Sequence, residues 1–259
     1  MIFFMKKPRR LLAHLGILDT PMLHLRSPYI MAFWSVAFPG FGHLLLGKYL
    51  RGFLLVSWEF FINQYSKINL AMVHSFNGNF EMAKEVINLR LLHMYIPVYM
   101  FCIWDSYRTC IDLNNEYRIA KRDNPPIDKF TMNSLGINYL DKRKPLMATF
   151  WSLTIPSVGQ IYQHRIMQGF FTLIWAVIIV YFSHFLEGIH YLIIGDIQKS
   201  TSVLDPQWVM FFPSFYFFTV FDSYLNTVEL NKLFEKEQRN YLRKNFQPTS
   251  FKLLKGRKV

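Results

Sequence analysis

Long apolar runs alternate with short basic segments along this chain of 259 residues. The first apolar element covers 29–38 and stops at Pro39-Gly40. Ten helical residues reach only about 15 Å, half of a hydrocarbon core. The run resumes over 43–47 and ends at Lys48 and Arg51. Two geometries fit this pattern: a kinked helix that spans, or a re-entrant hairpin that dips in and returns to the same side. A second element, 53–72, and a third, 91–111, are each long enough to cross. The same order then recurs, with 170–191 and 208–228 as the later counterparts.

The recurrence holds in detail. A shift of 117 residues places Phe33-Trp34 on Phe150-Trp151, Pro39 on Pro156, Gly42 on Gly159, Gly52-Phe53 on Gly169-Phe170 and Trp58 on Trp175. Without a gap it also places Asp105-Ser106-Tyr107 on Asp222-Ser223-Tyr224 and Leu113-Asn114 on Leu230-Asn231. One register kept over such a span predicts an internal duplication of a small domain, since solenoid repeats are much shorter. The expected organisation is a basic amphipathic arm over 1–28, a membrane repeat over 29–114, a basic linker over 115–145, a second repeat over 146–231 and a basic tail over 232–259.

Composition agrees with a lipid environment. Aromatic residues make up 18% of the chain, and charged residues 18% against roughly 25% in soluble domains. The expected class is therefore all-α, a polytopic helical membrane protein of two tandem units, each with two transmembrane helices plus the Pro-Gly element. The formal charge of +12 invites a nucleic-acid reading. The basic residues flank apolar runs, however, and no recognition motif accompanies them, so no nucleic-acid partner is expected. The arm meets its charges Lys6, Lys7, Arg9 and Arg10 after a short apolar run, the reverse of a secretory signal, so no cleavage is expected. Its stretch 11–25 fits either a segment lying at the membrane surface or a solvated arm. Cys102 and Cys110 stand eight apart in one apolar run, about 12 Å along a helix and too far for a disulfide.

Charge also decides topology. The arm, the linker and the tail are rich in Lys and Arg, whereas the loop between second and third elements carries only Lys67, Lys84 and Arg90 in one copy and Lys199 in the other. The positive-inside rule then makes all three basic segments cytoplasmic, next to anionic lipid headgroups. Each copy must cross an even number of times, which favours two crossings, a re-entrant hairpin and a parallel repeat. The competing unit of three crossings puts the linker outside. Richness in Ile, Phe, Lys and Asn and compact loops fit a bacterial cytoplasmic membrane.

The turn Pro39-Gly40-Phe41-Gly42-His43, followed by Leu-Leu-Leu-Gly47-Lys-Tyr and by Gly52 opening an apolar helix, resembles the membrane family called the TM-two domain. That family's Gly-x-His or Gly-x-Gln before an aromatic and a Leu-Gly is similar to Gly42-His43 to Gly47, and to Gly159-Gln160-Ile-Tyr162 in the second copy. The family's Asp-Arg-Phe signature is absent from the helix junction; Asp105 and Asp222 match it loosely. The resemblance covers about twenty residues per copy and implies a small membrane-embedded unit without established enzymatic chemistry.

Candidate chemistry starts with Asp105 and Asp222, because a carboxylate at membrane depth costs about 2.5–3.5 kcal/mol on insertion scales and is seldom idle. His43 and Lys48, or His164 and Arg165, are the partners within reach of the hairpin. A paired Asp locks the hairpin to the third helix; the competing role is a symmetric ion or proton site at the repeat interface. Glu59 and Asn63 form a second candidate, a polar stripe matched in the other copy by Ala176 and Val180. Its simpler reading is hydrogen-bonded glue between helices, with His93 as a partner. The Pro-Gly turns at Pro39, Gly40, Gly42, Pro156 and Gly159 expose backbone that suits an anion, yet close helix approach explains the glycines more simply. No phosphate loop, His-Glu-x-x-His or nucleophile elbow occurs, so no enzyme, cofactor or metal is expected. The sequence predicts a structural or partner-binding membrane component, with a membrane-protein partner or a second copy as its companion and a small transporter or channel as the alternative.

Overall fold

The computed structural model describes residues 10–123, 125, 127 and 129–247. Lys6, Lys7 and Arg9 of the arm, Pro126 of the linker and the tail from 248 onward lie outside them.

Helix α1 (Pro28–Ala37) opens with a proline at its first turn, where the missing N–H is no loss. It ends because Phe38 turns extended and Pro39 cannot continue it. Gly40, at φ +97°, launches the short α2 (Phe41–Leu45), and α3 (Tyr49–Ser66) follows. Beyond a break at Lys67 come α4 (Ile68–Phe76), α5 (Phe80–Val86) and the 35-residue α6 (Leu89–Asp123), about 52 Å long. A two-stranded antiparallel hairpin, β1 (Phe130–Asn133) and β2 (Gly136–Tyr139), separates these from α7 (Pro145–Thr154), α8 (Val158–Tyr162), α9 (Ile166–Phe182), α10 (Phe185–Ile194), α11 (Ile197–Val203), α12 (Pro206–Val209) and the 35-residue α13 (Phe211–Asn245).

Hydrogen bonds fix the chain directions. At one end of α1, Arg26 N–H donates to Asn114 Oδ1 (2.9 Å) and Asn114 Nδ2 donates to Arg26 O (2.8 Å); at the other, Tyr99 Oη donates to Val36 O (2.7 Å). α1 therefore runs antiparallel to α6. α2 then folds back, with Gly42 pressed against Ser35, the Met31 carbonyl and Ser106 so closely that a Cβ would collide with all three. The element is thus a helical hairpin, and α3 sets out from the end of the bundle where α1 began.

The same contacts recur 117 residues later. Arg143 and Asn231 exchange two hydrogen bonds (2.9 and 2.7 Å), Tyr216 Oη donates to Leu153 O, and Gly159 presses on Ser152, the Ala148 carbonyl and Ser223. Backbone breaks recur as well: Lys67 (φ 58°) matches His184 (φ 55°), and Gly40 (φ +97°) matches Ser157 (φ 81°), where a non-glycine residue holds the left-handed turn.

Aromatic rings join the two halves. Phe41 stacks on Phe218 (3.9 Å between centroids), Phe60 on Trp175 (3.9 Å) and Phe53 on Phe171 (4.1 Å), while Trp34 lies 5.2 Å from Phe221. Such pairs add about 0.5–1.5 kcal/mol each beyond area burial. A smaller cluster closes one end, where Leu12, Ala13 and Leu15 of the arm pack on Ala120, Ile127 and Leu233. Arm, β-hairpin and the last turns of α6 and α13 meet here, and the arm also reaches the second half through Ile166 N–H to Leu18 O (2.8 Å).

The structure corrects several sequence expectations. The second elements, expected as unbroken helices over 53–72 and 170–191, bend at Lys67 and His184. Among the described residues no single helix is long and apolar enough to cross a membrane, whereas two bent pairs reach the length and composition together: α5 with α6 (89°) and α9 with α10 (54°). The third elements run far past 111 and 228, so the linker begins as helix to Asp123 and the tail as helix to Asn245. Their charged residues line exposed helix faces. The helical class holds, with the β-hairpin as an addition. The described part of the arm, expected at the membrane surface or solvated, is extended and docked on the helices, and the Ala13–Met22 bridge joins it to itself.

Two outcomes are expected. Gly42→Ala and Gly159→Ala each push the hairpin off its long helix and lower stability by about 1–3 kcal/mol, readable as a lower unfolding temperature in detergent. In the docked arm, burial pushes the His24 imidazole from 6.5 down to about 3, with the Arg26 guanidinium adding to the shift, and Glu229 at 3.6 Å stands too far off to offset it. A depressed folded pKa gives stability that is complete above pH 6.5 and is lost as pH falls toward 3. The unfolding temperature therefore drops across that window, and His24→Gln flattens the drop.

Candidate functional site

Folding α2 back along α1 carries His43 to α6, and the start of α3 brings Arg51 to the same place. His43 Nε2 lies 2.9 Å from Asp105 Oδ2, and Arg51 Nη1 donates to the same oxygen at 2.9 Å. The imidazole is fully buried, while the guanidinium is 60% exposed. The Nε2–H tautomer satisfies the carboxylate and leaves His43 Nδ1 without a hydrogen-bond partner among the described residues.

The second carboxylate is held more completely. Asp222 Oδ2 accepts from Arg165 Nη1 (2.8 Å), Gln168 Nε2 (3.0 Å) and Gln160 Nε2 (3.1 Å), and Oδ1 accepts from Asn226 Nδ2 (2.6 Å). Asp222 has no solvent exposure. Arg165 in turn donates to Gln168 and lies 4.0 Å from Asp19, a second acid that shares its charge. Gln160 and Gln168 stand where the first half has His43 and Arg51, and Arg165 stands where it has Lys48.

Of the four partners within reach on paper, His43 and Arg165 make the contacts. Lys48 makes none with Asp105 among the described residues, and His164 turns away to the Ile17 carbonyl (2.7 Å). Arg51, Gln160, Gln168 and Asn226 complete the two sites and were not singled out by sequence reasoning. The 117-residue spacing that pairs His43 with Gln160 was the available signal.

Glu59 and Asn63 sit elsewhere, at the contact between the halves. Asn63 Nδ2 donates to Glu59 Oε1 (3.0 Å) and to Asn69 Oδ1 (3.0 Å), while Gln207 Nε2 donates to Asn63 Oδ1 (3.0 Å) and its Oε1 accepts from Leu70 N–H (2.8 Å). Tyr95, stacked on Trp58, takes the place next to Glu59 that was expected for His93. Glu59 Oε2 is buried without a hydrogen bond among the described residues. The turn residues Pro39, Gly40, Gly42, Pro156 and Gly159 form the hairpin bends, with Gly40 facing the Gly52 carbonyl and Val56.

Among the described residues, no three His, Cys, Asp or Glu side chains gather at metal-binding distance. The chain matches no protein-family model, no curated protein and no solved structure.

Removing one member of a buried ion pair leaves the other charge uncompensated, a loss of about 3–5 kcal/mol. Asp222→Asn is expected to destabilise on that scale. Asp105→Asn costs less, because the exposed Arg51 keeps its hydration. Thermal unfolding of the two variants in the same detergent gives the ranking.

Proposed function

We propose that the chain is an integral membrane protein with a structural or partner-binding role and no catalytic chemistry, made of two tandem TM-two-like units in a cytoplasmic membrane. One observation carries the reading: a buried cluster of charged and amide side chains coexists with large apolar side chains exposed on the outside. Arg165, Gln160, Gln168 and Asp222 are buried, while Phe61, Phe101, Ile174 and Phe217, within helices, stand outward. Water disfavours such an exterior and lipid favours it.

The recurring contacts at 117 residues support a duplication, and the shared direction of the halves supports a parallel one. Arm, β-hairpin and the ends of α6 and α13 gather at one end, which supports placing all three basic segments on the cytoplasmic side, against anionic headgroups. The returning α1–α2 hairpin supports two crossings per unit. In this reading Asp105 and Asp222 are locks that hold each hairpin to its long helix, because each is satisfied within its own half.

A second reading, a small transporter with an ion or proton site between the halves, draws on Glu59 Oε2 alone. It predicts that Glu59→Gln abolishes a proton or cation flux in reconstituted vesicles while the protein stays folded.

The side of the linker tests the topology. Asn133→Cys places a thiol on the exposed β-hairpin, and Cys102 and Cys110 are fully buried, so a Cys102→Ala, Cys110→Ala background removes any residual signal. An impermeant maleimide is expected to label only after the membrane is opened. Labelling in intact cells would mean three crossings per unit and an inverted repeat, and would move the transporter reading to first place.

A further inference from the structure

The contact between the halves is head-to-tail. The first half contributes Trp34, Phe38, Phe53 and Phe60; the second contributes Phe171, Trp175, Phe211 and Phe221. A two-fold contact would use the same positions from both halves. Here the counterparts on the second half of the first set, Trp151, Ile155, Phe170 and Val177, are not covered. Neither are Leu54, Met94 and Trp104, the counterparts on the first half of Phe171, Phe211 and Phe221; the fourth, Trp58, is half-buried against Tyr95. The seven uncovered side chains are between 41% (Trp151) and 63% (Leu54) exposed. Each half thus keeps one unused face, and the two unused faces occupy the positions that pair with each other within the chain.

The shape of the second half's face agrees. A groove of about 750 Å³ opens there, lined by Ile155, Pro156, Ala176, Val177, Leu186 and Glu187. In the first half the corresponding place is filled by Phe211 and Trp175 of the second half, which pack on Phe38 and Phe60. Charge agrees too. Within the chain Leu70 N–H donates to Gln207. Their counterparts 117 residues away are Glu187, which also meets His184 at the start of its own helix, and Arg90, opposite charges on the two open faces.

We propose that the groove on the second half receives the first half of another copy of this chain, repeating the internal contact between molecules. Trp151 of one copy then meets Trp104 of the next, as Trp34 meets Phe221 within one chain, and Glu187 meets Arg90. The inference rests on reading the halves as two parallel copies. In a membrane plane the operation that relates them is a rotation about the normal, so its repetition curves back on itself and need not grow without limit.

Two tagged variants, Trp104→Cys and Trp151→Cys, each in the Cys102→Ala, Cys110→Ala background, are treated in native membranes with a short bis-maleimide. Co-expressed, they are expected to give a cross-linked heterodimer, while either alone gives none. The chain carrying both is expected to give dimers and higher species. Trp34→Cys with Phe221→Cys in one chain should cross-link internally. If that control succeeds and no heterodimer forms, lipid or another protein covers the groove and the inference fails while the packing of the halves stands. If the control fails, the packing is wrong and the inference falls with it. Dimers from either single variant alone would show a two-fold contact and overturn it equally. Should the Trp variants fold poorly, the native mass of the unaltered chain in nanodiscs and the charge pair decide. A monomeric mass overturns the proposal. Arg90→Glu and Glu187→Arg are each expected to lower the oligomer fraction about fivefold, and together to restore it.

Discussion

Everything else in the fold depends on two places where backbone meets helix with no side chain between. At Gly42 and Gly159 the returning arm of each hairpin lies directly on a serine of α6 or α13 and on a carbonyl of its own first arm. Because α2 and α8 come this close, His43 and Gln160 reach the carboxylates behind them. The bends at Pro39-Gly40 and Pro156-Ser157 follow from the same need, since ten-residue helices α1 and α7 must reverse within three residues. The start of α3, the position of Arg51 and the seating of the long helix are all consequences of that contact.

The hairpin buries backbone groups and polar side chains, and they must be satisfied from within. The buried amides answer this. Gln160 donates to the Thr219 carbonyl (2.9 Å) as well as to Asp222, and Gln163 donates to Thr227 Oγ1 (2.8 Å). Serine and threonine hydroxyls return to carbonyls one turn back, as Thr172 does to Gln168 O (2.8 Å). Aromatic stacking between the halves supplies much of the apolar interior and leaves other aromatics exposed on the outside.

Much of this was legible. Apolar periodicity gave the helical class, Pro39-Gly40 and Pro156 marked the bends, and a single register aligned Asp105 with Asp222. Other features left no signal of the usual kind. The breaks at Lys67 and His184 occur without glycine or proline, at residues that hold a left-handed conformation. The extensions of α6 to Asp123 and α13 to Asn245 carry the charges of a linker and a tail, and only the docked arm, through Leu12 and Leu15 against Ala120 and Leu233, shows why they stay helical. The strands of 130–139 alternate over too few residues to stand out. For the carboxylates, distance along the chain named His43 and Arg165 but could not exclude Lys48 and His164, whose directions depend on the turn geometry.

The two carboxylate sites differ in nearly every partner and share one feature. In the first half the cation is Arg51, reaching Asp105 from the solvent side, with His43 as the buried donor. In the second, position 168 is a glutamine and the cation is Arg165, which is buried and shared with Asp19. Each carboxylate thus retains a guanidinium, but from a different position on the turn between hairpin and rising helix. If the sites existed to pass an ion, the access of the charge to water would be the property to preserve, and that is what differs most: Arg51 is exposed and Arg165 is enclosed. A lock requires only that the carboxylate be neutralised where it stands, and either position of the arginine does that.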